Sequence, residues 1–317
     1  MLALLALALL VTDPQPAADL LKKGLLALQH GNITEARADL ERASRLDPGN
    51  AYVWASLAET YLKAHEPKLA SAAAETAEKI RGQDPVVRHA LALYYSETGQ
   101  AAHAAKLDAQ IAFEWIKSLL EHGDFTQAAE MAQAGLAGHA NDPQLLLALG
   151  VARYGQRRFD DAMAEFLQVI GIDPGIEQPY VFLGKMLDQA GPRLGEITRA
   201  YEAWAARDPR NAKAQMLLAK ALLAANNRDT RAEALLRKSI TLDAQDWEAH
   251  YELGVLFEGE RKYADAAQEL ERSIALDRKQ PLAHYHLARV YDRLGQPERA
   301  QAERELHERL TAAGSQR

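Results

Sequence analysis

The sequence predicts an all-α solenoid of about nine helical hairpins, and three observations support this fold class. An apolar segment that ends at Asp recurs with steps of 35, 35 and 34 residues between its first positions, Phe166, Tyr201, Leu236 and Leu270. Alanine and leucine are abundant, only 7% of the residues are aromatic, and β-branched residues form no run longer than two, so helix is favoured. Small residues also recur at two fixed positions of each period. Such a period is typical of stacked hairpins that bury their apolar faces against each other.

Units of about 34 residues, counted from Ala17, divide the chain almost completely. The predicted organisation is an apolar leader at 1–16, units one to three at 17–108, units four and five at 109–176, and units six to nine at 177–317. The last range ends in a charged helix, as expected of a solvated cap on a finite array.

The third unit is shorter than the others and covers only 85–108. The stretch 101–122 contains neither Gly nor Pro, the residues that most often end a helix. We therefore expect the second helix of unit three to continue into the first helix of unit four as one long helix, with no break near Ala109.

Small residues occupy the two positions where the helices of a hairpin would cross. The eighth position of most units holds one of Gly24, Ala58, Ala92, Gly150, Gly184, Ala219, Gly254 and Ala288. About twelve residues later stands one of Ala36, Ala70, Ala104, Ala128, Ala162, Ala232, Ala266 and Ala300. Two antiparallel helices approach closely only where both have small side chains, so this pairing predicts the contact point of each hairpin.

The predicted turns have residues that suit helix ends. Gly31, Gly99, Gly123 and Gly295 lie between the two helices of their units, where a positive φ can end the first helix. Between units, Asp84 and Asp142 each precede a proline, which predicts a capping carboxylate followed by the first residue of a helix.

At this level of detail the sequence resembles the tetratricopeptide repeat (TPR) family. The family pattern of small, aromatic and proline residues is met most fully in LLLALGVARYGQRRFDDAMAEFLQVIGIDP (145–174), HYELGVLFEGERKYADAAQELERSIALD (250–277) and WASLAETY (54–61). The resemblance implies a right-handed superhelix of hairpins. The sequence departs from the pattern at Ile116 and Ile197, which replace small residues.

The composition argues against several classes of function. The chain has no cysteine, which excludes disulfides, thiolate metal sites and cysteine nucleophiles. A net charge of -7 without a basic cluster argues against nucleic acid as a partner. The ten histidines lack the spacing of a metal site; His284 and His286, for example, point in nearly opposite directions on a helix. No phosphate-binding glycine loop, GxSxG or HExxH motif occurs, so we expect no enzyme activity, cofactor or metal.

The first residues suggest export. Residues 1–11, MLALLALALLV, form an apolar run too short to span a bilayer and similar in length to the apolar part of a signal peptide. No Lys or Arg precedes the run. We expect an exported periplasmic or extracytoplasmic protein without a membrane span. The alternative is a cytoplasmic protein in which this run is an apolar N-terminal helix that caps the array.

In a stacked array the first helices of the hairpins line a concave groove. The groove-facing positions hold the aromatic residues Tyr52, Phe113, Tyr154, Tyr251 and Tyr285 and the cations Lys117, Lys185, Lys220 and Arg289. Acidic residues interrupt them at Glu59, Asp188, Glu258 and Asp292. Aromatic anchors with interspersed cations suit a protein or peptide partner.

These observations predict a non-catalytic scaffold that binds a partner protein, or an extended segment of one, in the groove. One alternative is an accessory subunit that recruits substrate to a separate envelope, secretion or polysaccharide-export system. The other is a self-associating structural protein. A homodimer through the regions of Trp115 or Trp204 also stays open.

Overall fold

The computed structural model describes residues 16–314, which form 18 α-helices and no β-strand. Their contacts divide the chain into two compact units, one ending at Arg158 and one beginning at Phe159. The all-α fold class is thereby confirmed. The predicted leader, 1–16, lies outside the described residues except for Pro16, the first residue of the first helix.

The first unit contains nine helices: α1 (Pro16–Gln29), α2 (Ile33–Leu46), α3 (Ala51–Lys63), α4 (Pro67–Arg81), α5 (Pro85–Glu97), α6 (Ala101–Leu107), α7 (Ala109–Glu121), α8 (Phe125–Leu136) and α9 (Pro143–Gly155). Helices α1 to α8 pack as four consecutive hairpins, and α9 lies against α8.

The second unit also contains nine helices: α10 (Phe159–Ile172), α11 (Gln178–Lys185), α12 (Leu194–Arg207), α13 (Ala212–Ala225), α14 (Arg231–Leu242), α15 (Trp247–Gly259), α16 (Tyr263–Leu276), α17 (Pro281–Arg293) and α18 (Pro297–Gly314). Two 3-10 turns, Leu187–Gln189 and Gly191–Arg193, connect α11 to α12. Helices α13 to α18 form three consecutive hairpins.

The close approach of helices within a hairpin is confirmed at two of the predicted glycines. A Cβ atom on Gly24 would lie 2.6 Å from Leu40 Cγ, and one on Gly254 would lie 2.7 Å from Leu270 Cγ. These distances leave no room for a side chain, because real Cβ atoms do not come within 3 Å of a neighbour. Ile116 and Ile197, which depart from the family pattern, are fully buried and fit without interrupting their helices.

The turns within hairpins follow the prediction. All four predicted glycines have a positive φ, between 71° and 78°. In two other hairpins the same place is taken by His65 and Arg261, with φ near 60°. The predicted caps are also confirmed, since Asp84 and Asp142 each accept hydrogen bonds from two backbone N–H groups of the following helix.

The predicted long helix over 101–122 is wrong. The helix breaks at Asp108, whose extended backbone (φ -139°, ψ 116°) separates α6 from α7. The Asp108 side chain accepts hydrogen bonds from the backbone N–H groups of Gln110 and Ile111 and therefore caps α7. It also lies 2.6 Å from His89 Nδ1 on α5. The predicted long helix is therefore interrupted by a capping residue, although neither Gly nor Pro is present.

Candidate partner-binding surface

The nine residues predicted to line a groove fall into both units. Tyr52, Phe113, Lys117 and Tyr154 belong to the first unit, and Lys185, Lys220, Tyr251, Tyr285 and Arg289 belong to the second. Four of the latter group, on the first helices of three consecutive hairpins, belong to one connected set of contacts, which we describe from α13 to α17.

On α13, Lys220 is held by two carboxylates of α15. Its Nζ lies 2.9 Å from Glu248 Oε1 and 3.3 Å from Glu252 Oε1. Burial alone would lower the pKa of the Lys220 ammonium group, but the two glutamates outweigh it and raise this pKa above its ordinary value. Lys220 is therefore a charged link between two hairpins at any physiological pH.

One ammonium group does not fully compensate two carboxylates. Burial raises the pKa of Glu252, and repulsion from Glu248 adds to this effect, so that the attraction of Lys220 does not cancel them. Burial also raises the pKa of Tyr251 to about 12, with Glu252 contributing. These shifts identify a partly dehydrated, acidic stretch of surface around Tyr251.

Between α15 and α17 the contacts continue through aromatic rings and a shared carboxylate. The Tyr251 ring lies 5.7 Å from that of His286. Glu258 Oε2 lies 2.6 Å from His286 Nδ1, and Glu258 Oε1 lies 3.1 Å from Arg289 Nη2. The Arg289 guanidinium stacks on Tyr285, with its Cζ 5.5 Å from the ring centroid.

We call this set of residues the second-unit surface; it consists of Lys220, Glu248, Tyr251, Glu252, Glu258, Tyr285, His286 and Arg289. Its ion pairs and ring contacts link α13 to α15 and α15 to α17. Chemically it offers aromatic faces and an exposed guanidinium over carboxylates that are largely covered, an arrangement suited to non-covalent contacts.

Lys185 lies beside this surface, at the end of α11. Its side chain is exposed, and its Nζ lies 5.3 Å from the centroid of the Phe182 ring. Asp188 follows three residues later and is near enough to raise the pKa values of Tyr251 and Glu252, after the larger effects already named.

The candidates of the first unit have separate surroundings. The Tyr52 hydroxyl donates a hydrogen bond of 2.8 Å to Asp84 Oδ2, which ties α3 to the cap of α5. Phe113 is partly buried against the core around Ile116. Lys117 is exposed and forms no ion pair within residues 16–314, and Tyr154 is half-buried on α9.

Sequence reasoning did not identify Glu248, Glu252 or His286 as members of the surface. The sequence does contain another recurring spacing that could have been detected. A histidine on a first helix pairs with an acidic residue 19 positions later. This occurs at His89–Asp108, His250–Glu269 and His284–Glu303, each with 2.6 Å between the nearest atoms. The last two pairs join the helices of a hairpin, and the first joins α5 to the cap of α7. Among the described residues no group of three or more His, Asp and Glu side chains is arranged to hold a metal ion.

Comparison with known proteins decides the family. Two family models described as tetratricopeptide repeat match the chain, one at residues 113–175 and 198–246 and the other at 27–94 and 257–303. Together they cover most of it. The chain belongs to the tetratricopeptide repeat family. The TPR repeats support a role as a protein–protein interaction scaffold.

Within residues 16–314 of this TPR protein, no helix has both the length and the apolar character needed to cross a bilayer.

Individual relatives of this TPR protein are distant. Cellulose synthase operon protein C of Xanthomonas axonopodis pv. citri is 26% identical over 213 residues, which is 55% of this chain and 14% of that protein. The chain therefore spans about a seventh of the curated relative that it matches. Among solved structures, MamA of Desulfovibrio magneticus RS-1 has a TM-score of 0.46 and 21% identity, covering 54% of this chain and 96% of that one. A thermophilic TPR protein of Thermus thermophilus has a TM-score of 0.45 and 20% identity, covering 54% and 98%.

Proposed function

We propose that this TPR protein is a non-catalytic scaffold that binds an extended segment of a partner protein on the second-unit surface, with Lys185 at its edge. The observation that carries the proposal is the continuity of this surface over the first helices of three consecutive hairpins. An extended segment crosses several repeats, so it needs anchoring groups on each of them. Tyr52, Phe113, Lys117 and Tyr154 are proposed as further contacts of the first unit.

The test compares two lysines that each lie over a phenylalanine ring, although Lys262 also forms ion pairs with Glu233 and Glu260. Lys185 projects over Phe182 at 5.3 Å and Lys262 over Phe257 at 5.2 Å, but Lys262 lies at the start of the second helix α16. The partner is captured by crosslinking in the native host, and its recovery is compared between wild type, Lys185→Glu and Lys262→Glu. We expect Lys185→Glu to lower recovery about fivefold or more, because a charge at the rim of an interface is reversed. Lys262→Glu serves as the control.

Equal recovery of every crosslinked protein from wild type and Lys185→Glu would contradict the proposal, provided that both variants keep the circular dichroism of the wild type. A loss with Lys262→Glu alone would place the interface on the second helices instead.

A second proposal is that the protein serves as an accessory subunit that recruits substrate to an envelope, secretion or polysaccharide-export system after export across the inner membrane. The match to cellulose synthase operon protein C supports it. Fractionation of the native host with N-terminal sequencing provides the test: we expect a protein outside the cytoplasm that lacks residues 1–16. Protein that begins at Met1 and is confined to the cytoplasm would overturn this proposal and favour the cytoplasmic alternative.

Self-association is the third proposal, and the two tryptophans named for it differ. Trp204 is only 1% exposed and stacks on Tyr180, so its indole is part of the core. Trp115 is 41% exposed on α7 and is available to a second copy. Light scattering of wild type and Trp115→Ser tests this: a dimer that persists in Trp115→Ser, or a wild type that is monomeric, would remove Trp115 as a dimer contact.

A further inference from the structure

Helix α17 has three side chains that are largely exposed. Leu282, Tyr285 and Arg289 are three and four residues apart and therefore lie along one face of the helix. Leu282 is 57% exposed and Tyr285 is 42% exposed, while 54% of the Arg289 side chain is accessible. The opposite face supplies the buried residues of this helix. We call these three residues the α17 stripe.

The Arg289 guanidinium of the α17 stripe is held in place by its contacts, but these contacts do not use all of its N–H donors. It stacks on the Tyr285 ring, and that ring also lies 5.5 Å from His307 on α18. Its ion-pair partner, Glu258, is only 10% exposed and uses its second oxygen for His286. An arginine has five N–H donors in a planar fork, and the contact with Glu258 involves one of its nitrogens. Among residues 16–314 this guanidinium has no second hydrogen-bond or ion-pair partner, and about half of the side chain is accessible to solvent.

We propose that the α17 stripe binds a partner segment in which an apolar side chain is followed by the carboxylate of Asp or Glu. The apolar side chain covers Leu282 and Tyr285, and the carboxylate accepts two parallel hydrogen bonds from Arg289, a geometry that lysine cannot provide. The positive charge of Arg289 is outermost and the carboxylate of Glu258 lies beneath it. Binding of a basic segment is therefore disfavoured here. This inference rests on the proposed function and specifies the chemistry of the bound segment.

The chain contains a matched control for Arg289. Arg299 on α18 also stacks on a tyrosine, with its Cζ 4.0 Å from the Tyr291 ring centroid, and pairs with a glutamate, Glu271, at 3.0 Å. Its side chain is 55% exposed. It differs in lying on a second helix, so Arg299→Glu reproduces the change in charge and in local contacts on another surface.

The experiment selects peptides from a random peptide library against the purified full-length protein and measures the strongest binder by fluorescence anisotropy. We expect the selected peptides to share an apolar residue followed closely by Asp or Glu. Arg289→Glu and Arg289→Ala should weaken binding about tenfold or more, and Arg289→Lys should weaken it less. Arg299→Glu should leave binding unchanged.

Selected peptides without carboxylates, or equal losses in Arg289→Glu and Arg299→Glu, would overturn the inference. Peptides that respond to Lys185→Glu and not to Arg289→Ala would overturn it and leave the proposed function standing. A library that yields no binder would count against both.

Discussion

Lys220 illustrates how a residue acquires its properties from a neighbouring hairpin. Its place in the repeat predicted a cation on a first-helix surface, but both of its carboxylate partners come from α15. Spacing within a unit cannot predict these contacts, because they depend on how consecutive first helices are set against each other. The result is one ammonium group between two carboxylates that have limited access to water.

We expect Lys220→Met to lower the free energy of unfolding by about 1–3 kcal/mol at neutral pH, because it leaves Glu248 and Glu252 without a counter-ion. Urea denaturation followed by circular dichroism measures this. Lys213→Met, on the same helix and with no ion pair among residues 16–314, should change the stability by less than about 0.5 kcal/mol. Equal effects of the two substitutions would contradict the role assigned to Lys220.

The loss of stability caused by Lys220→Met should become smaller as the pH is lowered. A carboxyl whose pKa is raised in the folded state, as that of Glu252 is, destabilises the fold above this pKa. The destabilisation disappears as the pH falls through the raised value toward the ordinary value of 4.5. Removing Lys220 raises the pKa of Glu252 further. The variant should therefore approach wild-type stability as the pH falls from neutral toward 4.5; a constant difference would contradict this account.

At the scale of elements, the break between α6 and α7 has a clear physical cause. Asp108 caps α7, and Arg88 donates hydrogen bonds to the carbonyls of Lys106 and Leu107, the last two residues of α6. The sequence did not predict the break, because an Asp inside a stretch of helix-favouring residues becomes a cap only when other groups cover the carbonyls that it frees.

We expect Asp108→Ala to lower the stability of the first unit more than Asp142→Ala does. Each substitution removes a cap with two backbone hydrogen bonds, worth about 1 kcal/mol, but only Asp108 also contacts a histidine, His89. Thermal unfolding of the two variants measures the difference, which we expect to be about 1 kcal/mol. Equal losses would show that His89 contributes nothing.

The pKa of Asp108 determines how the effect of Asp108→Ala on stability depends on pH. Burial would raise the pKa of this carboxyl, but the hydrogen bond with His89 and the backbone donor of Ile111 hold it below its ordinary value. Its contribution to stability is therefore complete above the pKa of the unfolded chain, about 3.9, and is lost as the pH falls further. Below that pH the difference between wild type and Asp108→Ala should decrease.

The end of α6 also depends on a close backbone approach. A Cβ atom on Gly138 would lie 1.9 Å from the carbonyl oxygen of Lys106, whereas one on Gly171, in α10, would meet nothing within 4 Å. We expect Gly138→Ala to destabilise the protein by about 1–3 kcal/mol, because backbone must move. Gly171→Ala should stabilise it by about 0.5–1 kcal/mol, because alanine favours helix. Thermal unfolding distinguishes them, and a neutral Gly138→Ala would contradict the packing described.

At the scale of the whole molecule, the repeat period was sufficient to predict the hairpins, their contact glycines and most of their turns. It did not predict the division into two compact units, which falls inside the fifth predicted unit, 143–176. The repeat period depends on which residues pack locally. Because the period is unchanged across this boundary, it could not predict where the two units divide. The second-unit surface was predicted in part for the same reason: its aromatic residues and cations have fixed repeat positions, but their ion-pair partners do not.

The proposed scaffold function places the partner on the first helices of the second unit. The most direct measurement places a photo-crosslinking phenylalanine analogue at Tyr251 on α15 or at the exposed Gln268 on α16, the second helix of the same hairpin. After irradiation in the native host, mass spectrometry identifies the adducts. We predict a defined protein adduct from position 251 and none from position 268. Adducts from position 268 alone, or the same adducts from both positions, would contradict the claim.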